Sequence, residues 1–240
     1  MDKRQNFRKA CCLVSFLVLS IAAYYISPYL IILAAMRGVV GSSLIIFFGM
    51  FVLSIFFGRL LCAYVCPIGG MQDCLTLLPN FKKAKVGWRN LIKYIIWTPW
   101  IILITIMFIR AGGILQVDFY AHRSLPLQPT IYIFYYSAWL VVVTTTLIMG
   151  KRAFCHYLCW MAPFMVIGSK ISDVLRIPKL QLKSTRDNCF ECGNCSDKCS
   201  MSLNVKQMVS NDKINNTECV LCGECVDTCP KKVISYSFKR

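Results

Sequence analysis

The sequence predicts an α-helical membrane protein: four transmembrane helices, arranged as two duplicated helix pairs, followed by a small C-terminal α+β domain organised by cysteines. Three observations lead there. The 240 residues are 57% hydrophobic and only 16% charged, and the apolar residues come in blocks. The octet Arg59–Cys66 recurs as Arg152–Cys159. Eight of the 15 cysteines fall after residue 184, at regular intervals. The expected division is 1–183 for the membrane domain and 184–240 for the C-terminal domain.

Four apolar blocks, at 11–35, 38–58, 91–109 and 130–149, have the length needed to cross a hydrocarbon core, about 20 residues in helix. None holds Asp, Glu or His. Lys93 is the one charge inside a block, near its end, where its stem can snorkel to the interface. The start of the chain (Lys3, Arg4, Arg8, Lys9, then an apolar stretch to Ala22-Ala23) has the look of a secretory signal. The apolar run continues through Met36, past the length of a signal core, so retention as a transmembrane helix is expected.

Orientation follows from the bases. Of 27 Lys and Arg, only Arg37, Arg110 and Arg123 fall in the first and third connections. Four precede the first block, Arg59, Lys82, Lys83, Lys85 and Arg89 lie in the second connection, and fourteen follow residue 150. Both termini and the C-terminal domain are therefore expected on the cytoplasmic face of the cell (inner) membrane. The net charge of +16 records this bias and is not read as a nucleic-acid surface.

Cysteines in a reducing compartment argue against a disulfide framework. The tail carries Cys189, Cys192, Cys195 and Cys199, then Cys219, Cys222, Cys225 and Cys229 followed by Pro230. Both sets have the C-x2-C-x2-C-x3-C spacing of bacterial two-cluster ferredoxins, in which the fourth cysteine ligates the other cluster. One [4Fe–4S] cluster is thus expected on Cys189, Cys192, Cys195 and Cys229, and its neighbour on Cys219, Cys222, Cys225 and Cys199. Gly193 and Gly223 occupy matching places where the loop needs unusual dihedrals. Zinc ribbons also use C-x2-C pairs, but have no use for a third cysteine at the same interval. Ser200 stands where a proline follows the last cysteine of the second set.

In the repeat, Arg59 matches Arg152, Cys62 matches Cys155, Tyr64 matches Tyr157 and Cys66 matches Cys159. Each copy ends an even-numbered helix, so both lie on the cytoplasmic side. Cysteines at i and i+4 share one face of a helix. One pair cannot complete a four-thiolate shell, whereas two pairs on neighbouring helix ends can. A third cluster on Cys62, Cys66, Cys155 and Cys159 is the expectation, [2Fe–2S] or [4Fe–4S], against apolar packing or a redox-active dithiol. Cys11, Cys12 and Cys74 have no partner at ligand spacing and are read as packing residues.

These features together resemble the NapH/NosR-type membrane-bound ferredoxins, which join transmembrane helices, two cytoplasmic C-x-x-x-C-P motifs and a two-cluster ferredoxin. Cys62-Ala-Tyr-Val-Cys66-Pro67 fits the first motif; in the second, Trp160 replaces the proline and Pro163 is the next one. The resemblance implies electron transfer between a cytoplasmic or quinone-pool donor and a partner redox protein or complex. The large flavin domain of the NosR relatives has no counterpart, the longest outer connection being 110–129.

The histidines, His122 and His156, are separated by a membrane core of about 30 Å and cannot ligate one haem. His122 reads as a loop residue, with quinol proton transfer beside Asp118 and Arg123 as the alternative. His156 reads as an interfacial residue beside a cluster ligand. No G-x-G-x-x-G fingerprint suggests a nicotinamide site. With every metal site on one face, electrons either stay cytoplasmic, exchange with quinone or pass to a membrane partner. The seven acids and eight bases of the tail, against four and nineteen before Arg186, suggest that it docks on its own membrane half. The leading reading is a membrane-anchored iron–sulfur electron-transfer subunit; the alternatives are a copper-reducing assembly factor and a redox sensor.

Overall fold

The computed structural model describes residues 3–22, 27–76, 81–112, 117–118 and 129–239. The long helices are α1 (Lys3–Ala22), α3 (Ser42–Phe57), α6 (Ile92–Arg110) and α7 (Pro129–Met149), with α2 (Pro28–Met36) between the first two. The first apolar block is therefore two helices, not one. Ser27 caps the second: its Oγ accepts from the Tyr29 N–H at 3.2 Å, and Pro28 fills the first turn, where no N–H is needed.

Each repeat continues past its long helix in the same way. A one-turn helix, α4 (Leu60–Tyr64) or α8 (Ala153–Tyr157), leads into α5 (Pro67–Leu75) or α9 (Ala162–Val174). The last helix of each copy packs on the long helix of the other, α5 along α7 and α9 along α3. That reciprocal exchange brings the two motifs together at one end of the bundle. The backbones of Gly150 and Lys151 meet Lys82 there, while β1 (Val40–Gly41) pairs in parallel with β2 (Val117–Asp118) at the first and third connections. Gly70 lets α5 lie against α1, since a Cβ on it would meet the Cys12 carbonyl oxygen at 2.5 Å.

Trp88–Arg110, α6 with the turn before it, is the one helix among the described residues that is long and apolar enough to cross a membrane by length and composition. At 16 residues α3 spans about 24 Å. The apolar side chains are turned outward along several helices: Leu17 and Val18 on α1, Phe48 and Leu53 on α3, Ile95 and Ile109 on α6, Leu140 and Ile148 on α7.

The C-terminal unit consists of β3 (Lys179–Ser184), α10 (Asn194–Asp197), α11 (Val205–Ser210), α12 (Glu224–Thr228) and β4 (Ile234–Lys239). The two strands pair antiparallel, from Lys179 against Lys239 to Ser184 against Ile234. The expected boundary at 183/184 thus falls inside β3, because the small sheet needs a partner for β4. One buried core runs from this unit into the N-terminal half, joining Cys199, Cys222 and Cys225 with Cys62, Ala63, Cys155 and Met165.

Candidate metal centres

In the tail, Gly193 and Gly223 take left-handed φ values of 82° and 76°, turning the chain into α10 and α12. The turns carry the thiols to two separate cavities. Cys189, Cys192, Cys195 and Cys229 line one; Cys199, Cys219, Cys222 and Cys225 line the other. The fourth cysteine of each sequence run crosses to the opposite cavity. The first site lies at the surface, with Cys192 exposed, and the second is covered, with Cys199, Cys222 and Cys225 buried. Donors are aimed at the covered sulfurs. The Leu221 N–H lies 3.5 Å from Cys219 Sγ, the Ser200 hydroxyl 3.3 Å from Cys222 Sγ, and the Met201 and Leu203 N–H groups turn to Cys199.

The repeated motifs differ from the expectation of a helical i, i+4 face. Cys62 lies on α4, but the helix ends and Cys66 caps the start of α5 with extended dihedrals. The second copy repeats the corner. The N–H groups of Val65 and Cys66 both bond the Leu61 carbonyl, and those of Leu158 and Cys159 both bond the Phe154 carbonyl. Pro67 sits in the first turn of α5; Pro163 does so in α9, where the helix starts later and Trp160 and Met161 fill the gap.

The four thiols of the two corners face one another. Burial pushes the Cys66 thiol up, and the Cys62, Cys155 and Cys159 groups all add to it. Burial likewise raises Cys159 to about 12, reinforced by Cys155 and Cys62. Three features nevertheless favour anionic sulfur. The Gly69 N–H turns to Cys66 and the Ala162 N–H to Cys159, each three residues on. Gln72 donates to Cys155 Sγ at 3.1 Å. Arg59 is buried beside Cys62, Cys155 and Cys159, and its Nε–H has no protein acceptor. An unsatisfied buried cationic donor next to three of the thiols fits an anionic cluster and is costly without one.

Among the described residues no three His, Cys, Asp or Glu side chains gather tightly enough to hold a single metal ion. Zinc draws its donors to about 2.3 Å from one centre, whereas a cluster holds its thiolates apart on different irons.

The arginines of the repeat are buried struts rather than surface charges. Arg59 pairs with Glu218 at 2.8 Å, and Arg152 grips both carboxylate oxygens of Asp73 at 2.7 Å while its other nitrogen donates to the Cys62 carbonyl. Arg8, also buried, bonds Asp73 at 2.7 Å and Glu224 at 2.6 Å. Lys93 does not snorkel: it is buried and pairs with Glu218 at 2.5 Å. Nor is His156 interfacial; it is fully buried, with Nε2 2.9 Å from the Met201 carbonyl oxygen. Cys12 is buried and donates to the Ala63 carbonyl oxygen, while Cys74 is exposed. His122 and Arg123 lie outside the described residues. Sequence reasoning passed over Asp73, whose signal was that no other acid occurs between Asp2 and Asp118. Arg4 and Arg8 share one face of α1, as Glu224 and Asp227 share one of α12, a complementarity also readable from spacing.

Burial works against the Glu218 and Asp73 carboxylates, yet Arg59 with Lys93, and Arg152 with Arg8, outweigh it and hold both below the ordinary carboxylate range. A depressed folded pKa contributes stability that is present above the unfolded value and lost as pH falls through the folded one. Glu218→Gln is therefore expected to lower the unfolding midpoint at pH 7 by several degrees. The gap from wild type should narrow toward pH 4, read by thermal scans in lipid nanodiscs.

A 4Fe-4S binding domain matches twice, over residues 39–85 and 133–178, and a 4Fe-4S dicluster domain matches residues 188–234. Each copy of the first spans one corner pair; the second spans all eight tail cysteines. Uncharacterized protein MJ0750 of Methanocaldococcus jannaschii is 25% identical over 99% of this chain and 98% of its own length. YccM of Escherichia coli K12, whose name assigns it provisionally to electron transport, is 23% identical over 88% of this chain, which spans 60% of that relative's length. MJ0749 of M. jannaschii is 24% identical over 78% of this chain and 67% of its own length. No solved structure matches.

Proposed function

We infer that this chain, which carries ferredoxin-type 4Fe-4S binding domains, is a membrane-anchored electron-transfer protein of the NapH/NosR kind, working between the quinone pool and a partner oxidoreductase. Cys189, Cys192, Cys195 and Cys229 would hold one cluster, Cys199, Cys219, Cys222 and Cys225 a second, and Cys62, Cys66, Cys155 and Cys159 a third. Bound clusters supply one-electron storage. The chain's own residues hold the thiolates, neutralise them with Arg59 and Arg152, and exclude water from the core between the corners and the tail.

Four spans with the ferredoxin unit on the cytoplasmic face remain the reading. The outward apolar side chains of α1, α3, α6 and α7 support it, since a surface of that extent is untenable in water. So does the meeting of alternate connections at opposite ends of the bundle.

The observation that carries the quinone reading is a cavity of about 620 Å³ between α3, the first corner and α7. Met50, Leu61, Val65, Cys66, Trp139 and Trp160 are among the residues that line it. Its size and apolar lining suit a lipophilic ring with few polar groups. Filling it with Ala138→Trp is expected to slow quinol-dependent bleaching of the clusters in liposomes at least ten-fold, with dithionite reduction unchanged. An unaltered quinol rate would contradict the assignment.

A further inference from the structure

The charges of the tail are sorted by side. Six ion pairs among the described residues join it to the N-terminal half, and in five the tail supplies the acid: Asp227 to Arg4, Glu224 to Arg8, Glu218 to Arg59 and Lys93, Asp197 to Lys83; in the sixth, Lys179 of β3 pairs with Asp173 of α9. Four of the tail's seven acids are thus spent on the inner side. Lys179 and Lys198 face the N-terminal half, while other bases gather at the opposite end, around the surface site of Cys189, Cys192, Cys195 and Cys229.

There, Lys231 and Lys206 line the site's cavity, and Lys232 is exposed beside it. Lys183 and Arg186, both exposed, are brought to the same place because Lys183 pairs in register with Ser235 and the Thr185 N–H bonds the Val233 carbonyl. The acids of this stretch are Asp187 and Glu191, and Glu191 is tied to Lys206 at 3.2 Å. In the middle stands Phe190, 68% exposed, with the Lys231 ammonium 4.6 Å from its ring centre. A bare aromatic ringed by cations, next to the one exposed thiol of the tail sites, has the make-up of an interface: an apolar anchor for affinity and a field for steering.

We propose that this face docks an acidic, soluble one-electron carrier protein, with Phe190 as the anchor and Lys231, Lys232, Lys183 and Arg186 as the charged rim. The proposal rests on the tail's iron–sulfur assignment and adds the chemistry of the partner. A like-charged face would repel a basic carrier, and the covered second site is closed to any protein by the membrane half.

The test uses the full chain in lipid nanodiscs, its iron content counted beforehand, with flavodoxin as the acidic probe and cytochrome c as the basic one. Flavodoxin binding is expected to weaken at least ten-fold in Lys231→Glu/Lys232→Glu and about five-fold in Phe190→Ala. Lys213→Glu, which is not among the residues lining that cavity, should stay within two-fold. Raising salt should weaken wild type more than the double variant. Equal affinity of wild type and double variant for flavodoxin, or stronger binding of cytochrome c, overturns the docking face. Because iron is counted separately, either result leaves the cluster assignment intact, whereas a wild-type tail without iron removes that assignment itself.

Discussion

Asp73→Ala is expected to destabilise the protein by about 3–5 kcal/mol, the loss typical of a buried pair deprived of one partner. Asp73 is the common acceptor of Arg8 and Arg152, whose side chains are almost wholly shielded from solvent. Removing it leaves two buried cations, one of which also supports the Cys62 carbonyl and the other of which reaches Glu224 on the tail. The damage should spread in both directions. The first corner loses its strut, and α12 loses the arginine that anchors it to α1. Arg152→Met should cost less, because Asp73 keeps Arg8 and no unpaired charge remains. Unfolding midpoints in nanodiscs, with iron retention after mild heating as a second readout, check the order. Equal losses for the two variants would contradict it.

The second large effect is on the four corner thiols as a unit. Cys62→Ser and Cys155→Ser remove ligands from different copies, 93 positions apart in sequence (155 − 62). If the pairs served separate purposes, the variants would differ. On the shared-site account each removes the same complement of iron and sulfide, and the double variant removes no more than either alone. The tail signals should persist in all three, since its eight cysteines close their own two cavities. Cys12→Ser serves as the control: its thiol only donates to the Ala63 carbonyl, so iron content should not change.

Much of the site could be read in the sequence because it is written locally. The tail spacing fixes which sulfurs reach which cavity, and the glycines before α10 and α12 mark the turns. The duplicated arginine, tyrosine and cysteines announced two equivalent structures. What the letters did not disclose was long-range. Arg59 finds its acid at Glu218, and Arg152 finds Asp73, through packing that no periodicity encodes. The corner after Tyr64 escaped because i, i+4 spacing is compatible with a continuous helix, and only the carbonyl shared by two N–H groups reveals the break. The basic N-terminus illustrates a signal with two meanings. Arg4 and Arg8 count toward orientation, and they also tie α1 to α12.

The charge layer between the halves gives these observations a common purpose. Buried ion pairs contribute little net stability against apolar substitutes, but they reject every misaligned arrangement, because a slip leaves charges unpaired. Here the layer fixes the tail in one pose, with its covered thiols in the same core as the corner thiols and its exposed site facing away.

The central claim is that the two repeated corners hold one iron–sulfur centre between them. Iron and acid-labile sulfide per chain, measured on anaerobically purified protein beside Cys62→Ser, address it most directly. The account predicts about ten or twelve irons in wild type, according to cluster type, and about eight in the variant. About eight in both would contradict it.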